Sequence, residues 1–561
     1  MTSTCLAHVV PTRRDAPFWG GGLVVALLVL LAPVTARAVD ASLVEPPPPP
    51  LALDPSVPVL PADPTPRFYI QEFRVDGGGD LLSRNEIETA VYPFMGPYRS
   101  PQDVDKARAA LEKAYHDKGY QTVTVTVPQQ HARTGIIHLQ VARGEVERLN
   151  VVGSRFFSIE EIKREAPSLQ EGTSPNFSQV TSDIVALNQL ADRRVTPEIV
   201  PGATPGTVDV NLKVKDSFPM HGSVELNNRY SANTKELRLN GAISYDNLWQ
   251  LEHSAGFSFQ TSPEDTNQVQ VYSGYYSAHI PDWDWLTLMV QGTYQDSTVN
   301  TLGGIGVVGK SKIIGMRAVF NLPQFTGYFH TLSLGLDYKH SDQNVMTAGQ
   351  PSMSPVTYYP ISAAYSGSWI GKGYETDVNA SFNFSIGGWD SSPEQFGQER
   401  YGADGRYVYF RSDLSHTHDL PEGTQIFAKV QGQAADKPLI NSEQFSGGGL
   451  GTIRGYLESE DLGDNGIIGN LELRTPSLSE IMGKAVDEWR FYIFGDYGLL
   501  TIDQALPGQQ EKFKLASVGW GTRIKLSDHY NGSLDFGLPL NNSVDTQAYE
   551  PRFTFRAWAE F

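Results

Sequence analysis

The residues from Phe445 to Tyr456 carry glycines at Gly447, Gly448, Gly449, Gly451 and Gly455 around one guanidinium, Arg454. Such a run folds tightly and approaches other backbone closely, and arginine offers a rigid fork of donors. A matching acceptor is available in the stretch Phe494, Gly495, Asp496. Strand alternation there puts Tyr492, Phe494 and Asp496 on one face and Trp489, Phe491 and Ile493 on the other. If the wholly apolar face is outermost, Asp496 points into an enclosed interior and Arg454 is its candidate partner. Both faces carry aromatics, so two readings stand, a docked ion pair or two separately solvated charges.

Other chemistry is poorly supported. Gly304 to Ser311 fits the phosphate-loop pattern letter for letter, and Gly304, Gly306 and Gly309 fit a dinucleotide fingerprint. Both need a helix directly afterwards to hold phosphate. Here Ile314, Met316, Ala318, Phe320 and Leu322 alternate as in a strand, so the glycines read as a flexible hairpin loop. No H-E-x-x-H or G-x-S-x-G motif occurs, and the histidines are scattered. His416 and His418 could be metal ligands, but an exposed strand end explains them better. No catalytic residue, metal, nucleotide or cofactor is expected.

These residues sit in a chain of 561 with a formal charge of −19, which argues against nucleic acid as a partner. Arg13 and Arg14, an apolar core from Leu23 to Leu31 and the small-x-small site Ala36, Arg37, Ala38 read as a secretory signal over residues 1–38. The single cysteine, Cys5, lies within it, so the mature chain forms no disulfide. Residues 39–66, with prolines from Pro46 to Pro50, read as an extended tether. No later run is apolar enough for a membrane helix, so a membrane form must be a closed β-barrel.

Residues 67–145 and 146–216 repeat one β-α-α-β-β plan. In the first, Tyr69 to Val75 is a strand and a helix is expected near Asn85 to Pro93. Ser100, Pro101 and Asp103 start a second helix with the stripe Val104, Ala107, Leu111, Tyr115, and Gly119 ends it. Val123, Val125 and Val127 share one strand face, and Ile137, Leu139 and Val141 another. In the second, Glu147 to Val152 is a strand, Ser158 caps a short helix, and Phe177, Val180, Ile184 and Leu187 form a stripe. Val195 to Val200 and Val208 to Val214 supply the closing strands. This is the plan of a POTRA pair.

Beyond Asp216 helical periodicity disappears. Alternating segments of about ten residues follow, such as Val269 to Tyr276, Leu286 to Tyr294, Leu332 to Tyr338 and Val378 to Phe384. Sixteen candidates lie within 217–561, an even number as bacterial barrels prefer. Gly-rich polar connections fall at alternate positions, including 296–310, the seventh-to-eighth connection, 387–405 and 436–464. Most of the intervening connections are short; the sixth-to-seventh and twelfth-to-thirteenth are longer than the pattern favours. The chain ends on Phe553, Phe555, Ala557, Ala559 and Phe561 sharing one face, as suits a closing strand in lipid. The expected fold is mainly β, a 16-stranded transmembrane antiparallel barrel preceded by two small α+β POTRA domains.

The ordered fragments resemble the TpsB family, the outer-membrane transporters of two-partner secretion often described as hemolysin secretion/activation proteins. They include Lys118, Gly119, Tyr120; Val127 to Gln130; Gly144, Glu145; Leu187, Asn188; and Pro201 to Thr207. Ile453, Arg454, Gly455, Tyr456 is similar to the family's V-R-G-Y motif in loop 6 (436–464). Phe494, Gly495, Asp496 is similar to its F-x-D motif on strand 13. The resemblance implies that loop 6 folds into the pore and that Arg454 pairs with Asp496. It also implies an outer-membrane barrel, POTRA domains in the periplasm, and an unfolded TpsA-like exoprotein, hemolysin or adhesin, as partner. Outer-membrane lipid and the barrel-assembly machinery, reading the strand that ends in Phe561, complete the expected partners. The alternative is an assembly or insertion factor of the same superfamily. Family members often carry an N-terminal plug helix, and residues 40–66 are too proline-rich for a long one.

Overall fold

The computed structural model describes residues 66–561 apart from 132–133, 281–282, 284, 298–308 and 348–349. The signal and nearly all of the tether therefore lie outside the described residues, as do the glycines at 304 and 306. The strand that follows them, Gly309–Asn321, is described and is a strand as expected.

In the first unit, helix α1 (Arg84–Val91) and helix α2 (Pro101–Asp117) pack on a sheet ordered Glu72–Asp76, Ile136–Ala142, Thr124–Thr126. Ser100 and Asp103 form a reciprocal capping box at α2, a device worth about 1 kcal/mol. Its stripe of Val104, Ala107, Leu111 and Tyr115 is buried. Two details differ from the sequence reading. The first strand breaks at Gln71, because Gln71 and Glu72 both donate their backbone N–H to Gly135 O, leaving Phe68–Ile70 to pair with Gly96–Arg99 instead. Val127 is exposed, because its strand stops at Thr126 ahead of Pro128.

The second unit packs α3 (Ile159–Arg164) and α4 (Phe177–Leu187) on a sheet ordered Glu145–Val152, Thr207–Asp216, Arg193–Pro201. Its core includes Leu149, Ile162, Val180, Leu187, Val210 and Leu212. Phe177 belongs to the expected stripe but is exposed at the start of α4.

Sixteen antiparallel strands then close a barrel, from Met220–Asn227 to Arg552–Glu560. The eighth strand runs in two segments, Gln350–Tyr358 and Ile361–Gly371, interrupted at Pro360. The seventh, Tyr328–Thr347, pairs with both. The connection between these two strands is therefore no long loop: the ladder continues to Thr347↔Gln350. Outward positions are apolar and exposed, including Val224, Ile243, Phe257, Leu334, Ile493 and Leu534. Inward positions carry charge, such as the Arg317–Asp337 pair. Among the described residues no helix is long and apolar enough to cross a membrane. First and last strands meet from Arg556↔Asn227 to Glu560↔Ser223, and Arg556 holds Glu225 with two hydrogen bonds (2.9 and 2.8 Å). Below this ladder Gly222 and Phe561 exchange backbone hydrogen bonds. The Phe561 ring occupies the space a side chain at 222 would need.

The turn between the second and third barrel strands, 249–252, grips the second unit. Trp249, Gln250 and Glu252 adopt left-handed φ (63°, 59° and 57°), a conformation that bulky residues keep only when their surroundings impose it. Gln250 accepts from Ser158 N (2.8 Å) and donates to Phe156 O (3.1 Å). The buried Arg193 guanidinium spans the two bodies, reaching Glu165 on one and Glu252 on the other, each at 2.8 Å. His221 lies 2.7 Å from Asp192 and 3.5 Å from Asp246.

Burial first, and then the neighbouring Glu252 carboxylate, raise the Glu165 carboxyl to about 7, against the pull of Arg193. The folded joint thus keeps a proton that the unfolded chain releases above the ordinary glutamate value. Its contribution to stability is full below that value and is lost as pH rises to about 7, by on the order of 1–3 kcal/mol. Spin labels at Ser182 and Lys484 should report a narrower distance distribution at acidic than at alkaline pH. Glu165→Gln should abolish that difference; an unchanged pH response in this variant would exclude Glu165 as its source.

Candidate functional site: loop 6 docked on the inner wall

Loop 6 leaves the eleventh barrel strand, Gln425–Ala435, and re-enters the wall at the twelfth, Asn465–Arg474. Its two arms pair as short strands, Phe445–Gly447 with Asp461–Gly463. The base is fixed by buried Glu443, which accepts from Lys339 (2.6 Å), Tyr358 (2.7 Å) and Tyr409 (2.8 Å) on three different strands. Asp464 accepts from Arg400 Nη2 (2.8 Å) and from the backbone of Leu439 (2.8 Å) and Asp503 (2.7 Å).

The bend of the loop presents Arg454 to the thirteenth strand, Val486–Thr501. Arg454 donates from Nε to Asp496 Oδ2 (2.8 Å), from Nη2 to Oδ1 (2.7 Å) and from its backbone N–H to Oδ2 (3.0 Å). Nη1 reaches Glu472 Oε1 at 2.6 Å, and the guanidinium stacks on the Phe494 ring 3.6 Å from its centroid. A bidentate pair with a stacked ring uses the planar fork in a way lysine cannot reproduce. Of the two readings left open by the sequence, the geometry selects the docked pair. Asn470, directly opposite Asp496 in the ladder, donates to the same carboxylate (2.9 Å).

Charge at the site balances. Glu472 also meets Arg474 (2.8 Å) and Arg523 (3.2 Å), while Asp535 lies 3.7 Å from Arg454 and accepts from Tyr492 Oη (2.7 Å). Three guanidiniums therefore face three carboxylates: Arg454, Arg474 and Arg523 against Glu472, Asp496 and Asp535. Pairing of this kind is what makes buried charge tolerable. Glu472, Asp535 and Arg523 were missed in the sequence, although the alternation Asn470, Glu472, Arg474 marks one polar face of a strand.

Glycine makes the close approach possible. A Cβ at Gly537 would lie 2.6 Å from Gly455 N and 2.8 Å from Gly455 Cα; one at Gly519 would meet the Phe494 ring at 2.4 Å. Gly455 itself has φ +91°, which a side chain would strain. The next residue, Tyr456, is buried, and its hydroxyl donates to Asn541 O (2.8 Å) and accepts from Ala516 N–H (3.3 Å). The tip is tied elsewhere too: Arg229, just past the first strand, holds Glu458 (2.7 and 3.3 Å). Ser543, ahead of the last strand, donates to Asp461 (2.7 Å). Gly455, Tyr456, Phe494 and Asp496 are thus all brought to Arg454, whereas His416 and His418 lie on the outer wall, remote from it.

Breaking a buried pair from either side costs about 3–5 kcal/mol. Arg454→Ala and Asp496→Ala should each release the loop to a similar extent, seen as protease cleavage between residues 448 and 460. A double-mutant cycle should show coupling of about 1–3 kcal/mol; additive effects would remove the pairing. Gly537→Val tests the steric half: it changes no charge yet should undock the loop, at about 1–3 kcal/mol. Protection equal to the native chain would show that the slot is not needed.

Comparison with known proteins matches this architecture. The family model described as haemolysin secretion/activation protein ShlB/FhaC/HecB covers residues 206–524, and the ShlB-type POTRA model covers 68–144. The chain is 23% identical over 440 residues to the outer membrane transporter CdiB of Dickeya dadantii, covering 73% of this chain and 72% of that protein. It is 21% identical over 507 residues to the heme/hemopexin transporter protein HuxB of Haemophilus influenzae, covering 85% of each. In fold it matches CdiB from Escherichia coli with a TM-score of 0.62 at 20% identity, over 90% of this chain and 93% of that one. BamA from Haemophilus ducreyi, lacking POTRA domains 1–3, matches with a TM-score of 0.55 at 15% identity, over 88% of this chain and all of that one. The family match spans more than half of the sequence, and the chain belongs to the haemolysin secretion/activation protein family of outer-membrane transporters.

Proposed function

We propose that this outer-membrane transporter of two-partner secretion exports a large, unfolded exoprotein of the hemolysin or adhesin type, received by its POTRA units and passed through the barrel under control of loop 6. The observation that carries the reading is the buried docking of Arg454 on Asp496 in a barrel that also bears the two units. An arginine sealed in the wall by three strands makes a defined resting position for the loop, which passage of a chain would have to alter. The transfer needs no bond to be made or broken in the cargo, so the site has no requirement for a nucleophile or nucleotide.

Recognition of an extended chain by strand addition suits the POTRA sheets. Their outer edges are unequal. Glu112 and Arg108 reach the backbone of Val125 (2.9 and 3.4 Å), occupying the Thr124–Thr126 edge. Pro197 and Pro201 remove donors from Arg193–Pro201. Thr173 O and Glu171 take the amides of Val146 and Leu149 on Glu145–Val152. Glu72–Asp76 is the edge with fewest such obstacles. For insertion, Phe561 at the end of the last strand supplies the aromatic terminus we assign to recognition by the barrel-assembly machinery.

The test is export of a long, repeat-rich secreted protein, sought in the reading frames beside this gene. Arg454→Ala should leave barrel abundance unchanged and lower cargo in the medium by about tenfold or more, in line with loss of a few kcal/mol of docking. Unaltered export in the variant would remove loop 6 from the mechanism. Unaltered export after deletion of the whole gene would favour an assembly role.

A further inference from the structure

Two imidazoles stand side by side on the lipid-facing wall near the rim that carries the POTRA units. The ninth barrel strand, Tyr374–Ser385, pairs with the tenth, Tyr407–Asp419, so that Tyr374 is opposite His418 and Thr376 opposite His416. On the flanks, Trp369 faces Thr376, and Ile426 and Ala428 face His418 and His416. Alternation places these residues on the same outward face as Val378, Phe382 and Leu414. Lys372 is exposed in the turn just before Tyr374.

The rings form a platform. Tyr374 stacks near His416 (6.3 Å between centroids), and His416 on His418 (5.8 Å). Tyr328 stacks on Trp369 (4.1 Å) and His330 (4.6 Å) alongside. His330 uses both ring nitrogens within the protein, on Tyr365 Oη and Pro323 O, so it extends the platform and offers no donor. Among the described residues His416 makes one hydrogen bond, between Nδ1 and Thr376 Oγ1 at 2.7 Å, and its Nε2 is left available to a partner outside the protein. Of the nearby carboxylates, Asp419 packs beside Gly373 in the turn that carries Lys372, and Glu422 is exposed in the next turn of the same rim. Asp419 accepts from Gln425 (2.9 Å), and Glu375 and Asp377 alternate to the lumen side.

Polar nitrogen on a wall that faces hydrocarbon is costly without an acceptor. Aromatic rings mark the level of the headgroups, where phosphate is the abundant acceptor. We propose that Lys372, His416 and His418, over the Tyr374 and Trp369 rings, form a binding site for the headgroup of an anionic phospholipid of the periplasmic leaflet. On a chain carrying −19, this cation and these imidazole donors, with Glu375 and Asp377 of the adjoining strand on the lumen side, make a local exception of the right sign. The glycerol phosphate lies against the imidazoles and Lys372, and the acyl chains run along Val378 and Leu414.

The full chain, reconstituted in phosphatidylcholine vesicles, tests this with a minor fraction of either brominated phosphatidylglycerol or brominated phosphatidylcholine. Trp369 fluorescence, taken as the difference from Trp369→Phe, reads local lipid. Preferential quenching by the phosphatidylglycerol, weakened about fivefold by Lys372→Gln and further by adding His416→Gln and His418→Gln, is the expected result. Equal quenching by the two lipids overturns the proposal, as does a preference that survives all three substitutions. Lys372→Gln changes one exposed turn residue, so its outcome does not depend on whether the triple variant inserts.

Discussion

The burial of a guanidinium inside a barrel wall is the constraint around which the rest is arranged. An uncompensated charge there would cost more than a small domain's whole stability margin. Every neighbour of Arg454 answers that problem. Asp496 takes three of its hydrogen bonds, Glu472 a fourth, Phe494 covers its face, and Arg474 and Arg523 prevent the carboxylates from being left in excess. The partners come from successive strands, so the cluster forms only when the loop and this sector of the barrel are assembled together.

Shape matters as much as charge. Loop 6 reaches the wall because the wall has been thinned at Gly498, Gly519 and Gly537. Ile453 fills the first vacancy, Phe494 the second, and the backbone of Arg454 and Gly455 the third. An electrostatic pair alone would tolerate several loop conformations. Backbone lying on backbone tolerates few, so the glycines give the docked position its definition while the ions hold it shut.

Much of this could be read from residue order alone. The α2 stripe, the strand after Gly309, and the outward row ending in Phe561 each rest on a local period that the tertiary structure reinforces. The Arg454–Asp496 contact was only half legible, because aromatics occupy both faces of the thirteenth strand. What decides the face is non-local: Tyr492 and Phe494 lie over Gly521 and Gly519 of the neighbouring strand. The hairpin joining the seventh and eighth strands was illegible for a different reason. Gln343 to Met346 carry no apolar alternation, and their ladder is held by backbone pairing to Met353 and its neighbours. The joint at Arg193 left no signal, since its three members are scattered over two bodies.

That joint has a mechanical consequence. The second POTRA unit is clasped to the turn between the second and third barrel strands and, through Asp192 and His221, to the first strand, which is one side of the closure with the last. A pull or twist on the periplasmic body is therefore delivered as torque to the staves beside the closure, not spread around the hoop. The opposite stave ends at Phe561, held against Gly222 near the same rim. The appendage and the closure form a lever and its catch, and work done by a chain entering from the periplasm is focused on the line where the cylinder was last joined.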